Sequence, residues 1–204
     1  TSGHLSCLNV LKRFGPGNPS PLSFPMPGWT LTVDLPIEQG LDKLCDALDT
    51  EVIGADINPK ALELAMVNAC LAQAHNVALC QSDLFDGLQG DFDLVVSNPP
   101  FVLDPEERRY RHGGGERGAE LSRRIVEHSL GRLRRGGSLM LYTGVAQCGQ
   151  RDHFLESLRP TLAARCDTWT YEELDPDIFG GQLGEPGYED VERIAAVWLH
   201  AVRR

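Results

Sequence analysis

The string VSNPPF, residues 96–101, contains groups that could hold a flat, nitrogen-bearing substrate. The side-chain carbonyl of Asn98 and the backbone carbonyl of Pro99 are hydrogen-bond acceptors, and a proline contributes no competing N–H. Two such acceptors orient an NH2 group, while the ring of Phe101 stacks on its plane. Pro100 stiffens the corner. The pattern predicts a site for a planar amine or amide, with Asn98, Pro99, Pro100 and Phe101 as its catalytic residues.

Two carboxylates occupy comparable positions earlier in the chain. Asp56 follows the apolar string VIGA, and Asp83 follows LCQS. In a sheet of parallel strands, such residues lie along one crevice at the carboxyl ends. There Asp56 could accept both hydroxyls of a ribose, and Asp83 could accept from the exocyclic amine of adenine. Taken singly, each acid could instead be a helix N-cap.

From Trp29 onward, strand and helix patterns alternate along the chain. This alternation predicts an α/β fold whose sheet is mostly parallel, with helices on both faces. Gly136-Gly137 is expected to end a helix, because glycine is common at that position. Strands are predicted at 30–36, 51–56, 76–83, 92–98, 138–144, 166–174 and 194–202, and helices at 38–48, 58–74, 119–133 and 150–162.

The first 28 residues have a different texture. Residues 15–28 contain five prolines, which prevent regular helix. We therefore expect residues 1–28 to form an irregular arm, and residues 29–204 to form the α/β domain.

The composition favours a cytoplasmic protein. Six cysteines form no CxxC pair and mostly lie in apolar runs, which indicates reduced, buried thiols and no disulfide or metal site. The sequence has no signal-peptide pattern and no apolar run of membrane-spanning length, so no membrane contact is expected.

Positive charge is concentrated in residues 108–135, although the net charge is −10. Nine arginines and three glutamates lie there. The segment could be a solvated helix face with internal ion pairs, or a contact for an anionic partner. The arginines expected to make that contact are Arg108, Arg109, Arg111, Arg123 and Arg124.

Residues 51 to about 202 resemble class I S-adenosylmethionine-dependent methyltransferases of the small-domain type. The strings VIGADINPKALELAMVNA, QSDLFD and FDLVVSNPPF carry the resemblance, in matching order and spacing. It implies a Rossmann-like sheet with an antiparallel strand near the C-terminus, S-adenosyl-L-methionine as cofactor, and methyl transfer to a planar nitrogen. It also implies that Asp56 holds the ribose, that Ile57, Asp83 and Leu84 lie near the adenine, and that Asn98 contacts both cofactor and acceptor.

The resemblance leaves the methyl acceptor open. Related motifs act on glutamine side chains and on adenine and guanine amines, so an RNA base, a DNA base or a protein glutamine could be the acceptor. The arginine-rich segment follows the Asn-Pro-Pro-Phe corner and should border the acceptor's approach. That placement favours RNA.

The resemblance fails at the first strand. The family has a glycine-rich loop after that strand, whereas this chain offers only Asp34 and Gly40 as cofactor-binding candidates in the corresponding stretch. An alternative function is therefore a catalytically inactive module that has lost the cofactor loop.

Residues 3 to about 49 resemble a fragment of the FAD-linked decaprenylphosphoryl-ribose 2′-oxidase family, through FGPGN, LSFPMPGW and VDLPI. The chain is thus an apparent chimera joined near Thr50. An oxidase fragment is a second alternative function, with Cys7 as either a substrate-side residue or a buried thiol. We expect residues 29–48 to replace the first strand and helix of the methyltransferase sheet.

Overall fold

The protein contains a seven-stranded sheet with the strand order β3-β2-β1-β4-β5-β7-β6. The computed structural model describes residues 9–13, 51–71, 73–104, 106, 111–149 and 151–204. Its strands are β1 Asn9–Arg13, β2 Glu51–Asp56, β3 Val77–Gln81, β4 Phe92–Ser97, β5 Leu133–Gln147, β6 Cys166–Asp175 and β7 Arg193–Arg203. Its helices are α1 Pro59–Leu71, α2 Glu120–Arg132 and α3 His153–Arg165, and 3-10 turns span Glu116–Gly118 and Gly180–Gln182.

Five of the seven strands point in one direction. The pairs β2–β3 and β4–β5 are parallel, while β1 is antiparallel to both β2 and β4. Strand β7 is antiparallel to β5 and β6. These directions confirm the expected α/β class, mostly parallel with an antiparallel strand near the C-terminus.

The centre of the sheet is held by β1. Residues 29–48, which we expected to supply this strand, lie outside the described residues. The place between β2 and β4 belongs to Asn9–Arg13 instead, and this strand runs opposite to the expected direction. The expectation that residues 1–28 are wholly irregular therefore needs correction for these five. The physical reason is that a central gap would leave the facing backbone groups of β2 and β4 unpaired, and any extended segment can pair with them.

One continuous apolar core joins the sheet to α2 and α3. The two helices contribute Ile125, Val126, Leu130, Phe154, Leu158 and Leu162, all with at most 4% of their surface exposed. Helix α1 buries only Ala61 and Ala65. The core thus holds β4 and β5 firmly in place.

Helix α2 agrees with the predicted span 119–133 to within one residue at each end, but the expectation that Gly136-Gly137 end it is wrong. It stops at Arg132, and Gly136-Gly137 lie within β5, beside a register irregularity against β4. The Arg132 guanidinium donates to the backbone carbonyls of Phe85, Leu88 and Gly90. This side chain therefore connects the end of the helix to the loop before β4.

Two further expectations concern thiols and membranes. Among the described cysteines, Cys70, Cys80, Cys148 and Cys166 are free, and Cys70 is exposed rather than buried. Across the described ranges, no helix combines the length and apolar character needed to span a bilayer.

The place of β1 can be tested by substituting Leu11 with proline. Leu11 pairs with Ile53 and Val95, and proline would remove a ladder hydrogen bond from the middle of the sheet. We expect a loss of about 3 kcal/mol or more in unfolding free energy, measured by denaturant titration. Leu11→Ala is the control, because it measures the loss of the side chain without the loss of the backbone N–H. Equal stability of Leu11→Pro and Leu11→Ala would contradict the placement of β1 in the sheet.

Candidate functional site

Asp56 and Asn98 stand at the same height on the sheet. Val10 of β1 pairs with Gly54 on one side and with Val96 on the other, and each site residue lies two positions further along its chain. Only β1 lies between them, so their backbones are about 10 Å apart. The structure therefore brings these two predicted residues to one edge of the sheet.

The carboxylate of Asp56 is buried, with 2% of the residue exposed. Its Oδ1 accepts a hydrogen bond of 2.7 Å from the Asn58 backbone N–H, while Oδ2 has no partner among the described residues. Burial raises the pKa of Asp56 to about 6, against the opposing effect of backbone hydrogen bonds from Asn58 and Ile57. A buried carboxylate oxygen without a donor fits a ligand that brings hydroxyl donors, such as a ribose.

The neighbouring residues that were predicted to contact the cofactor differ in exposure and in their contacts. Asp83 is exposed at the end of β3 and lies 3.4 Å from the guanidinium of Arg124. Ile57 is 40% exposed beside Asp56, and its carbonyl accepts from the Gln81 side chain. Leu84 is 5% exposed and belongs to the core, so its side chain is not free to face a ligand.

The Asn-Pro-Pro-Phe corner follows β4 directly. Asn98 is half-buried, and Pro99 and Pro100 are buried. No described residue hydrogen-bonds the Asn98 side chain. The two prolines end the ladder because they have no N–H to donate. Within the described part of the chain, the corner thus presents an amide that is positioned but unpaired.

The glycine-rich loop, residues 112–118, packs against this corner. The Gly113 N–H donates to the Val102 carbonyl at 2.8 Å, and the Leu121 N–H donates to the Gly113 carbonyl at 2.8 Å. A Cβ on Gly118, whose φ is +81°, would lie 2.3 Å from the Phe101 carbonyl oxygen. In the structure this loop is a turn that packs closely against the corner and supports it.

The ring of Phe101 has two close neighbours. On one side lies Gly144 of β5, where an added Cβ would come within 2.3 Å of the ring. On another side Phe179, between β6 and β7, packs at a centroid distance of 5.3 Å and an interplanar angle of 70°. The ring's orientation is therefore fixed by a glycine and a second phenylalanine.

Other predicted residues lie outside the described part of the chain. These are Asp34, Gly40, Cys7, Arg108 and Arg109. Of the remaining arginine candidates, Arg111 is half-buried, Arg123 pairs with Glu120 and Glu127, and Arg124 pairs with Asp83.

Sequence reasoning missed Tyr188, Phe179 and Gly144. The Tyr188 hydroxyl accepts from the Leu103 backbone N–H at 2.8 Å, and the residue is 1% exposed. These contacts link residues 43 to 85 positions apart across irregular loops. No periodicity marks them, and the one signal in the sequence was the pair of aromatic residues, Phe179 and Tyr188, in a loop of mixed polarity.

Comparisons with known proteins show the family of the chain and its fold. A family model described as methyltransferase small domain matches residues 41–159, more than half of the chain. A release factor glutamine methyltransferase of Geobacter sulfurreducens is 35% identical over 151 residues, covering 66% of this chain and 50% of the relative. A crystal structure of an rRNA methylase from Streptococcus thermophilus covers 81% of this chain and 82% of its own, at 14% identity and a TM-score of 0.50, which shows a common fold.

A separate match concerns the short segment that resembles the FAD-linked oxidase family. A decaprenylphosphoryl-β-D-ribose oxidase of Mycolicibacterium smegmatis is 58% identical over 52 residues, which are 26% of this chain and 11% of the relative. This confirms the resemblance to a short oxidase fragment. The chain spans half or less of the length of these two curated relatives.

The buried carboxylate predicts a pH dependence of stability. Folding raises the pKa of Asp56 from 3.8 to about 6. The stability that the protonated carboxyl gives to the fold is therefore fully present below pH 3.8 and is lost as the pH rises through 6. Asp56→Asn should therefore gain stability relative to wild type between pH 4 and 7, by about 1–3 kcal/mol. Denaturant titration at several pH values measures this. If the unfolding free energies of Asp56→Asn and wild type change with pH in parallel, the assignment is contradicted.

Proposed function

Because the chain belongs to the methyltransferase small-domain family, whose members use S-adenosylmethionine, we propose that it transfers a methyl group to a planar amide nitrogen of a protein glutamine. The observation that supports this proposal most is the placement of two polar side chains at the same height on the sheet, the Asn98 amide and the Asp56 carboxylate. Among the described residues, neither the Asn98 amide nor Oδ2 of Asp56 has a hydrogen-bond partner.

The cofactor side of the proposal depends on the carboxylates. Asp56 would accept the ribose hydroxyls through its buried Oδ2, with Ile57 beside the nucleoside. Asp83 would accept from the adenine amine, in competition with Arg124 at 3.4 Å. The bound cofactor supplies an electrophilic methyl group on a sulfonium. Asp34 and Gly40 remain proposed contacts for its methionine part.

The acceptor side depends on the corner. The Asn98 side-chain carbonyl and the Pro99 backbone carbonyl would accept from the two N–H groups of the acceptor amide and hold its nitrogen in one orientation. As the nitrogen gains positive charge on methylation, these two acceptors would stabilise it until it releases one proton to water, and the demethylated thioether is the leaving group. Orientation of this kind can supply up to ~7–11 kcal/mol of the lowering of the barrier, so a strong general base is not required.

The described arginines shift the choice of acceptor from RNA to protein. Arg117 pairs with Asp190 and Glu116, and Arg123 pairs with two glutamates. Arg134 pairs with Asp93, and Arg132 binds backbone carbonyls. Carboxylates or carbonyls already surround these charges, which is the salt-bridged face weighed from the sequence. Relatives at 32–37% identity are named for glutamine methyl transfer to release factors and ribosomal protein uL3.

A second candidate function is nucleoside binding without methyl transfer. It is favoured by the direction of β1, whose Asn9 end lies beside Ala55 and whose Arg13 end lies beside Glu51. The Arg13 end of β1 therefore lies at the edge of the sheet opposite Asp56 and Asn98. A glycine-rich loop directly after this strand would lie far from the site.

Substitution of Asn98 tests the catalytic corner. Asn98→Ala should abolish methyl transfer while the affinity for S-adenosylmethionine, measured by calorimetry, stays within about twofold. Asn68→Ala on α1 is the matched control and should retain activity. Equal loss of transfer and of cofactor binding in Asn98→Ala would mean that Asn98 is structural.

The acceptor can be identified with methyl-tritiated cofactor. We expect label in the protein fraction of a cell extract, on glutamine, with a shallow dependence on salt. Label in RNA that falls steeply with salt would instead indicate phosphate contacts, at about one counterion per contact. Saturable binding of the demethylated cofactor without label in any fraction would favour the binding module.

A further inference from the structure

Residues 176–192, which connect β6 to β7, also contact the Asn-Pro-Pro-Phe corner and the residues that follow it. The Tyr188 hydroxyl accepts from the Leu103 N–H at 2.8 Å. A Cβ on Gly187 would lie 2.6 Å from Leu103 Cδ1, so the backbone of Gly187 and this side chain approach closely. The β6–β7 connection is therefore part of the wall around the corner.

An ion pair joins this connection to the glycine-rich loop. The Arg117 guanidinium donates to both carboxylate oxygens of Asp190, at 2.6 and 3.3 Å, and only 16% of the Arg117 side chain is exposed. The Ile178 N–H donates to the Ile194 carbonyl at 2.9 Å and fixes the start of the connection to β7. Both loops are thus held in place around the segment that follows Asn98.

Phe179 is the exception among the apolar side chains of this connection. Ile178, Leu183 and Tyr188 pack into a satellite core with Ala146 and Ile194. Phe179 is not part of that cluster and is 41% exposed. Since its neighbours anchor the connection without it, stability of the fold does not account for a half-exposed phenylalanine at this position.

Phe179 faces the ring that the corner presents. Its ring and that of Phe101 touch at a centroid distance of 5.3 Å and an angle of 70°. This distance leaves no space for a flat group between them. The two rings instead form an L-shaped apolar wall on the corner that begins at Asn98.

We propose that Phe179 is a specificity-determining residue, which forms with Phe101 the apolar wall against which the glutamine amide of the acceptor lies. This inference rests on the proposed function and adds a residue from the β6–β7 connection to the acceptor site. Asn98 and Pro99 fix the orientation of the acceptor nitrogen within the plane, and the two rings fix the plane itself.

A kinetic comparison tests the role of Phe179. Phe179→Ala should raise the KM for a glutamine-bearing acceptor peptide about fivefold to tenfold, the scale of one aromatic contact, with cofactor affinity unchanged. Leu174→Ala is the matched control, because Leu174 is also apolar and 53% exposed but lies in β6. A KM for Phe179→Ala within twofold of that control would overturn the proposal.

A binding experiment makes the test independent of catalysis. The probe is N-acetylglutamine methylamide, titrated into the chain carrying labelled phenylalanine and followed by NMR. The rings of Phe101 and Phe179 should shift together and saturably, and the Phe101 shift should weaken in Phe179→Ala. Absence of shifts, or shifts confined to Phe85, Phe92 or Phe154, would overturn the inference. Probe binding without methyl transfer would count against the proposed function alone.

Discussion

The site depends on the register of three adjacent strands. Val10 pairs with residues on both sides of β1, and this fixes the relative height of β2 and β4. A slip of one residue would displace Asp56 from Asn98 by about 3.3 Å and turn alternate side chains to the other face. The chemistry proposed for the two residues thus depends on backbone hydrogen bonds made by a strand that contributes no predicted site residue.

The buried carboxylate of Asp56 is costly to the fold by itself. An unpaired polar atom in the interior costs about 1–3 kcal/mol, which agrees in direction with its raised pKa. The adjacent apolar core, with Val52, Ala55 and Val95 at 0% exposure, stabilises the strand that carries it. A ligand that donates to Oδ2 would relieve the cost, so binding and stability are coupled at this residue.

Residues at strand ends could be predicted from the sequence because they depend on local patterns. The order of Asp56, Asp83 and Asn98 after three apolar runs was sufficient to place them along one edge. Phe179 and Tyr188 could not be predicted in this way, since their partners lie more than 75 residues earlier and both belong to an irregular loop. The central strand was misplaced for another reason: side-chain alternation favoured residues 30–36, whereas a ladder of backbone hydrogen bonds can be completed by almost any extended segment.

The sheet tolerates the reversed direction of β1, but this direction affects the site. Parallel and antiparallel ladders both satisfy the backbone groups of β2 and β4, so the sheet can accept a central strand of either direction. Direction matters only to the loop after the strand, because it decides at which edge of the sheet that loop begins. With Arg13 beside Glu51, that loop begins far from Asp56. A strand of unrelated ancestry can therefore complete the sheet and fix the height of the strand-end residues, even though its C-terminal residue, Arg13, lies at the edge away from them.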